Sequence, residues 1–194
     1  MADLAGKGYW PPARLSIIWN VSERHSLRGL LAPLSYTETG VFANEVDFAG
    51  KTYLPGTPLD ATYKFNSWRL GYRYRLLNRE SLRLSVGFTA KIRDAKIELS
   101  QENTTSKDTD LGFVPLLALG CDWQFARDWH VLFDAEGLAG GPGRAFDIAL
   151  KVYYAINEDW GIGAGYRTLE GGADVESVYN FAWLHYAVLS ATYS

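Results

Sequence analysis

The feature that most constrains this chain is a two-residue alternation of bulky apolar side chains with small or polar ones. It runs from about residue 13 to the end of the 194 residues. Successive side chains of a β-strand point to opposite faces, so this alternation indicates strands with one apolar and one polar face. We call each of the two alternating sets of positions a phase. In the segment 145–157, Phe146 and Ile148 belong to one phase, whereas Asp147 and Lys151 belong to the other.

The same alternation recurs along the chain. It is found at residues 15–21, 68–76, 82–93, 111–125, 129–137, 160–168 and 181–193, with a weaker pattern at 25–36. Tight connections are expected near residues 22–24, 78–80, 127–128 and 157–159, and longer loops at 38–61, 101–110, 139–144 and 171–178. Short turns on one side and long loops on the other are typical of outer-membrane barrels. Because no linker or helical period interrupts the pattern, residues 1–194 are predicted to form a single all-β domain.

Composition excludes several other classes. The mean hydropathy is -0.13, and no apolar run approaches the ~20 residues that a transmembrane helix needs. A net charge of -3 gives no reason to expect nucleic-acid binding. One cysteine forms no internal disulfide, and no Cys/His spacing suggests a metal site, so neither metal nor cofactor is expected. Residues 1–10 lack the features of a signal peptide. An exported protein needs one, so we expect the signal peptide to have been removed or to lie upstream.

The apolar phase is the bulky one, and this favours lipid outside the sheet. Bulky side chains would overfill a narrow barrel, but they meet lipid without a volume limit. Aromatic side chains at strand ends share this phase, as expected for girdles at the two membrane interfaces. The predicted girdle consists of Trp19, Trp68, Trp123, Trp129, Trp160, Trp183 and Tyr193.

The predicted fold is therefore a closed, antiparallel, up-and-down transmembrane β-barrel of eight to ten strands. Nine strands are counted, and single-chain barrels normally have an even number. A tenth strand upstream of the present start would restore it. The alternative is a soluble, lipocalin-like ligand-binding barrel, in which the same alternation would place the apolar phase inside.

Five stretches carry a resemblance to a known family: residues 25–36 (HSLRGLLAPLSY), 60–77, 86–99, 133–152 and 165–189. They resemble Gram-negative outer-membrane barrels of unassigned function, small barrels of the OmpA and OmpW type. The resemblance implies a bacterial outer-membrane location and no known chemistry. The partners expected of such a barrel are outer-membrane lipid and lipopolysaccharide, together with the barrel-insertion machinery.

Charged residues on the polar phase are the main candidates for a functional site. The predicted cationic lumen residues are Arg69, Arg73, Arg75, Arg83, Lys91, Arg93, Lys151 and Arg167. The predicted anionic lumen residues are Asp122, Asp134, Glu136 and Asp147. Buried charges are tolerated when they are paired, so we favour a salt-bridged plug. The other interpretation is a narrow channel for small solutes with a cationic wall.

An outer-membrane lipid-modifying or hydrolytic enzyme, with its site at the extracellular rim, is the remaining alternative. The chain has three histidines: His25, His130 and His185. A catalytic set of Ser177, His185 and Glu176 is conceivable, but nothing in the spacing singles it out. We therefore expect a non-enzymatic protein with no catalytic residues.

Overall fold

The structure is a computed structural model that describes residues 13–140, 143–175 and 178–193, with side chains at 172–175 and 178–182 left undescribed. The described chain is all β. Its strands are β1 (Leu15–Asn20), β2 (His25–Ala32), β3 (Ser35–Val41), β4 (Val46–Phe48), β5 (Lys51–Tyr53), β6 (Pro58–Asn78), β7 (Leu82–Gln101), β8 (Thr104–Ala126), β9 (Trp129–Gly140), β10 (Gly143–Ala155), β11 (Trp160–Val175) and β12 (Val178–Tyr193). Within these residues no helix is long and apolar enough to cross a membrane.

The strands form an antiparallel sheet with mostly sequential neighbours. Its order is β1-β2-β6-β7-β8-β9-β10-β11-β12, with β3 also paired to β6. The strands β4 and β5 form a separate two-stranded sheet. This confirms an all-β, antiparallel architecture with nine strands along the main path.

Three of the predicted long loops are wrong, because those segments are mostly strand. β7 runs to Gln101 and β8 begins at Thr104, so a two-residue turn replaces the loop expected at 101–110. Likewise, β9 ends at Gly140 and β10 begins at Gly143, so strand occupies most of the loop expected at 139–144. β11 ends at Val175 and β12 begins at Val178, so strand also occupies most of the loop expected at 171–178. Residues 101–110 are rich in Thr and charged residues, and the other two segments are rich in Gly, so none of them shows the apolar alternation by which strands were predicted.

The chain divides into two compact units. Among the described residues, the first comprises 13–17, Gly29–Arg69 and Lys91–Phe113, and the second comprises Ile18–Arg28, Leu70–Ala90, 114–140, 143–175 and 178–193. The strands β6, β7 and β8 each contribute residues to both units.

The second unit exposes its apolar phase. The most exposed of these side chains include Leu189 at 87% and Leu70 at 63%. The alternating positions are the buried ones, and they include charged side chains such as Arg73 at 6% and Glu136 at 4%. This is the reverse of a water-soluble sheet, in which large contiguous apolar patches are rarely left exposed.

The first unit has an apolar core of the ordinary kind. Tyr53, Leu59 and Leu99 are each at most 2% exposed, and Phe42 and Phe48 pack against them.

The Tyr53 phenol anchors the β4–β5 hairpin to this core. It donates a hydrogen bond to the carbonyl oxygen of Leu99 at 2.9 Å, and its oxygen lies 2.7 Å from the Ser106 hydroxyl. The Gln101 amide holds the following loop, accepting from the backbone nitrogen of Leu54 at 2.8 Å and donating to the carbonyl of Thr57 at 3.1 Å. The hairpin is therefore tied to β7 and β8 by both packing and hydrogen bonds.

Replacing Tyr53 tests this anchor. We expect Tyr53→Phe to destabilise the first unit by about 1–3 kcal/mol, because buried polar partners at Leu99 and Ser106 lose their bond. Tyr53→Ala should cost about 3–5 kcal/mol, because it also leaves a cavity. Limited proteolysis should then cut residues 42–57 first. Equal resistance of both variants and the parent protein would contradict the anchor.

Candidate functional site

The candidate site is the polar face of the second unit, defined as the side chains that alternate with the exposed apolar phase. It is centred on Arg73 of β6 and Glu136 of β9, whose side chains are 7% and 4% exposed and whose Nη2 and Oε1 atoms lie 2.8 Å apart. Asp134 lies 3.3 Å from the same Arg73 nitrogen and 2.8 Å from Nη1 of Arg28. Thr89 of β7 donates to Glu136 Oε1 at 3.0 Å.

This network joins strands that are not neighbours. Three strand spacings separate β6 from β9, and four separate β2 from β9. With about 4.8 Å between strands, a flat sheet would hold them roughly 14 and 19 Å apart. Direct contacts of Arg73 with Glu136, and of Arg28 with Asp134, therefore require the second unit to curl with its polar face on the concave side.

A glycine makes room for the Ser85 hydroxyl next to the Arg73 side chain. A Cβ on Gly120 of β8 would lie 2.5 Å from Ser85 Oγ and 3.7 Å from Arg73 Nη1. A Cβ at this position would therefore displace the Ser85 hydroxyl, while it would only touch the guanidinium.

Two further charge clusters lie on the same face. Asp122 of β8 contacts Arg83 of β7 at 3.1 Å and Nδ1 of His130 at 2.7 Å. Asp147 of β10 contacts Arg167 of β11 at 2.6 Å, with side chains 3% and 11% exposed. All four predicted anionic residues are therefore in contact with a cationic or imidazole group.

The other predicted cationic residues are placed differently. Arg75 donates to the Glu23 carbonyl and to Asn20 at 2.7 and 2.6 Å, near a short turn. Lys151 is half-buried on β10.

Three of the predicted cations belong to the first unit. There, Arg69 donates to Ser67 at 3.0 Å, Lys91 lies over the Phe65 ring at 5.3 Å, and Arg93 pairs with Asp110.

Sequence analysis missed Arg28. It lies on the polar phase of the weakly patterned segment 25–36, and its long-range partner Asp134 is 106 residues away. If the alternation of the other strands is extended to β2, Arg28 falls on the polar phase and becomes a candidate. No local sequence signal identifies its partner.

The predicted aromatic girdle residues are all exposed. Their exposed fractions run from 44% for Trp129 to 69% for Tyr193. Two pairs meet at the short-turn end of the sheet: Trp129 with Tyr154 at 4.8 Å and Trp160 with Tyr193 at 5.1 Å between ring centroids.

Polarity reverses along β7 without any change of phase. The phase that is apolar through Ile92 continues as Asp94 and Lys96. The opposite phase becomes apolar, with Ile97 and Leu99, and Leu99 is a core residue of the first unit. One face of one strand therefore changes from apolar to charged within two residues.

The same reversal occurs on β6. Its exposed apolar phase reaches Trp68 and then continues toward the strand start as Asn66 and Lys64. The opposite phase there carries Phe65 and Leu59, and Leu59 is buried in the first unit. Apolar runs on the outer phase cover nine residues at 68–76 and 146–154 and eleven at 82–92, which matches the 9–11 residues of a tilted transmembrane strand, whereas the run at 111–125 on β8 covers fifteen.

Ion pairs on the outer phase mark the end of these runs. Lys64 lies 2.7 Å from Asp94, and Arg144 lies 2.6 Å from Glu170. Hydrogen bonds from Lys64 and Asn66 hold the pKa of Asp94 below its usual value. Nearby in the first unit, burial and the charge of Glu38 raise the pKa of Tyr36.

The residues considered for catalysis do not converge among the described positions. His25 lies 2.7 Å from the Tyr72 hydroxyl, His130 contacts Asp122, and His185 bonds the Tyr166 hydroxyl on the exposed phase. Glu176 and Ser177 lie outside the described residues. Within the described part of the chain, no group of three or more His, Cys, Asp or Glu side chains is arranged to hold a metal ion.

Comparisons with protein families, with curated proteins and with solved structures found no match to this chain.

Removing one partner of the central ion pair should be strongly destabilising. We expect Glu136→Ala to lower the free energy of unfolding by about 3–5 kcal/mol, because it leaves Arg73 buried and uncompensated. The matched control is Arg83→Gln, whose side chain is 44% exposed and whose loss should cost at most about 1 kcal/mol. Urea unfolding of the refolded protein measures both.

The double variant Arg73→Met with Glu136→Met separates the effect of charge pairing from the effect of filling the same volume. Replacing both charges by apolar groups should recover much of the stability that Glu136→Ala loses. If the double variant were as unstable as the sum of the two single variants, the pair would not be coupled.

The low pKa of the Asp94 carboxyl should depend on Lys64. We expect Lys64→Gln to raise its pKa toward the ordinary value, whereas Lys96→Gln, the matched control, should leave it low. Because the folded pKa is depressed, the stabilisation is present above the unfolded pKa and is lost as pH falls through the folded one. Carboxyl titration by NMR measures this, and an Asp94 pKa unmoved by Lys64→Gln would contradict it.

Proposed function

We propose that this chain is a non-enzymatic outer-membrane β-barrel protein. Its exposed apolar phase faces lipid, and its polar phase lines an interior closed by ion pairs. The observation that carries the proposal is the reversal of polarity on β6 and β7 at Trp68 and Ile92. The same set of alternating positions is apolar along one part of the strand and polar along the next. This is expected where a strand passes from lipid into water.

The length of the apolar runs supports a membrane-spanning role. The runs of nine to eleven residues on β6, β7 and β10 suit the hydrocarbon thickness for a tilted strand, and no open sheet edge is stable there. The proposal therefore includes closure of the sheet into a barrel, with a strand order that would join its two ends. The aromatic side chains at both ends of the runs suit the two membrane interfaces.

The ion-pair network favours a structural, closed interior over a channel. Arg28 and Arg73 together carry two positive charges, and Asp134 and Glu136 carry two negative ones, so the cluster is neutral. It connects β2, β6 and β9 across the concave side, where eight to ten strands leave little space once side chains fill it. Outer-membrane lipid, lipopolysaccharide and the barrel-insertion machinery are the partners that such a protein requires.

Single-channel recording in planar bilayers tests the closed interior. The refolded protein should show no steady conductance. Replacing the four charged residues Arg28, Arg73, Asp134 and Glu136 by Ala should open one, because it empties the concave side of the second unit. The matched control replaces Arg144 and Glu170, an ion pair on the outer phase, and should stay silent.

Other results would contradict parts of this proposal. Steady, salt-dependent conductance of the unaltered protein would favour a small-solute channel. A folded protein that stays in buffer and does not enter detergent or lipid would contradict the membrane location, and it would favour a soluble barrel instead.

A further inference from the structure

The exposed apolar face of the second unit contains a recess of about 700 Å³ near the short-turn end of β9 to β12. Its walls include Trp129, Tyr154 and Leu189, and its floor includes Ala164 and Ala191. Gly163 and Ser190 of the polar phase also border it.

The recess exists because two small residues occupy positions on the bulky phase. In the strand register, Ala164 lies between Val152 and Leu189, and Ala191 lies opposite Ile162. Each alanine ends at Cβ where its neighbours extend outward, so the face is indented along a diagonal. The lining is apolar, and Ser190, which also borders it, donates its hydroxyl proton to the Gly163 carbonyl at 3.4 Å.

The turns beside this recess are acidic. Arg127 and Asp128 precede Trp129, and Glu158 and Asp159 precede β11. The Asp128 carbonyl accepts from the backbone nitrogen of Ala155 at 2.8 Å, which places the first turn beside the end of β10. The two turns that adjoin the strands of the recess therefore carry one cationic and three anionic side chains.

We infer that the recess binds an acyl chain of a phospholipid whose headgroup carries an ammonium group. This inference rests on the proposed function, because it takes the apolar phase to face lipid. The recess is continuous with that phase and suits a flexible hydrocarbon chain. The acidic turns suit an ammonium group, Arg127 suits the phosphate, and a purely anionic headgroup would be repelled.

A second copy of the chain is a poorer occupant. A two-fold interface brings the same patch of both copies together, so Asp128, Glu158 and Asp159 of one copy would approach the acidic turns of the other. Like charges at such a contact oppose association.

Photolabelling in vesicles tests the inference. The refolded protein is placed in phosphatidylcholine vesicles with a diazirine acyl-chain probe on either phosphatidylethanolamine or phosphatidylglycerol, and labelled peptides are mapped by mass spectrometry. With the ethanolamine probe, labelling of residues 160–168 and 187–193 should exceed that of residues 68–76 several-fold. Labelling by the glycerol probe should be weaker there.

Variants localise the effect. Ala164→Phe fills the recess with an apolar group and should reduce its labelling to the level of residues 68–76. Ala90→Phe, on the same phase of β7, should leave it unchanged. Glu158→Gln combined with Asp159→Asn should equalise the two probes.

The outcomes separate this inference from the proposed function. Labelling spread evenly over all exposed apolar runs would overturn the recess site and leave the membrane barrel standing. Equal labelling by both probes in the unaltered protein would overturn the headgroup assignment. Crosslinks between copies at Ala164 would overturn the lipid occupant in favour of a second chain. A folded protein with no labelling anywhere would overturn both the inference and the proposed function.

Discussion

Successive side chains of a strand point to opposite faces, and this constraint governs the whole molecule. A strand such as β7 holds a single phase over its length, so the character of each face reports what that face meets. Around Phe88 the exposed face is apolar and the opposite face is buried and polar. Around Leu99 the arrangement is reversed. The proposed membrane location accounts for both patterns on one strand, because each face would meet lipid over one part of its length and water over the other.

Pairing of charges on the concave side follows from the same constraint. If the apolar phase faces outward, the polar phase must fill the interior, and buried charges are stable when they are paired. Arg73 meets this requirement by crossing two intervening strands to Glu136. The curvature of the second unit allows this contact.

Alternation in the sequence predicted much of the fold. The strands predicted at 82–93 and 145–157 are present as parts of β7 and β10, and short turns are present near 78–80 and 157–159 as predicted. The loop at 101–110 was wrong, because beyond Ile92 the phase inverts and Thr and Ser replace the bulky residues. A search for apolar alternation in one phase does not recognise a strand whose apolar residues have moved to the other.

The candidate site was predictable as a set of residues and not as a set of contacts. Asp134 and Glu136 were placed correctly as ion-pair partners, because they share a phase with many cations. Their shared partner Arg73 and the extra partner Arg28 depend on the curvature of the sheet, which brings residues 61 and 106 positions apart into contact. Local spacing in the sequence carries no information on such distances.

The proposed membrane location requires the outer phase of β7 to pass from lipid to water between Ile92 and Asp94. Spin labels on single cysteines test it most directly, after Cys121 is replaced by alanine. Labels at positions 88, 90, 92, 94 and 96 are compared for collision with oxygen, which concentrates in hydrocarbon, and with a water-soluble nickel complex. The account predicts oxygen-dominated signals at 88 to 92 and nickel-dominated signals at 94 and 96. Nickel access at all five positions would contradict it.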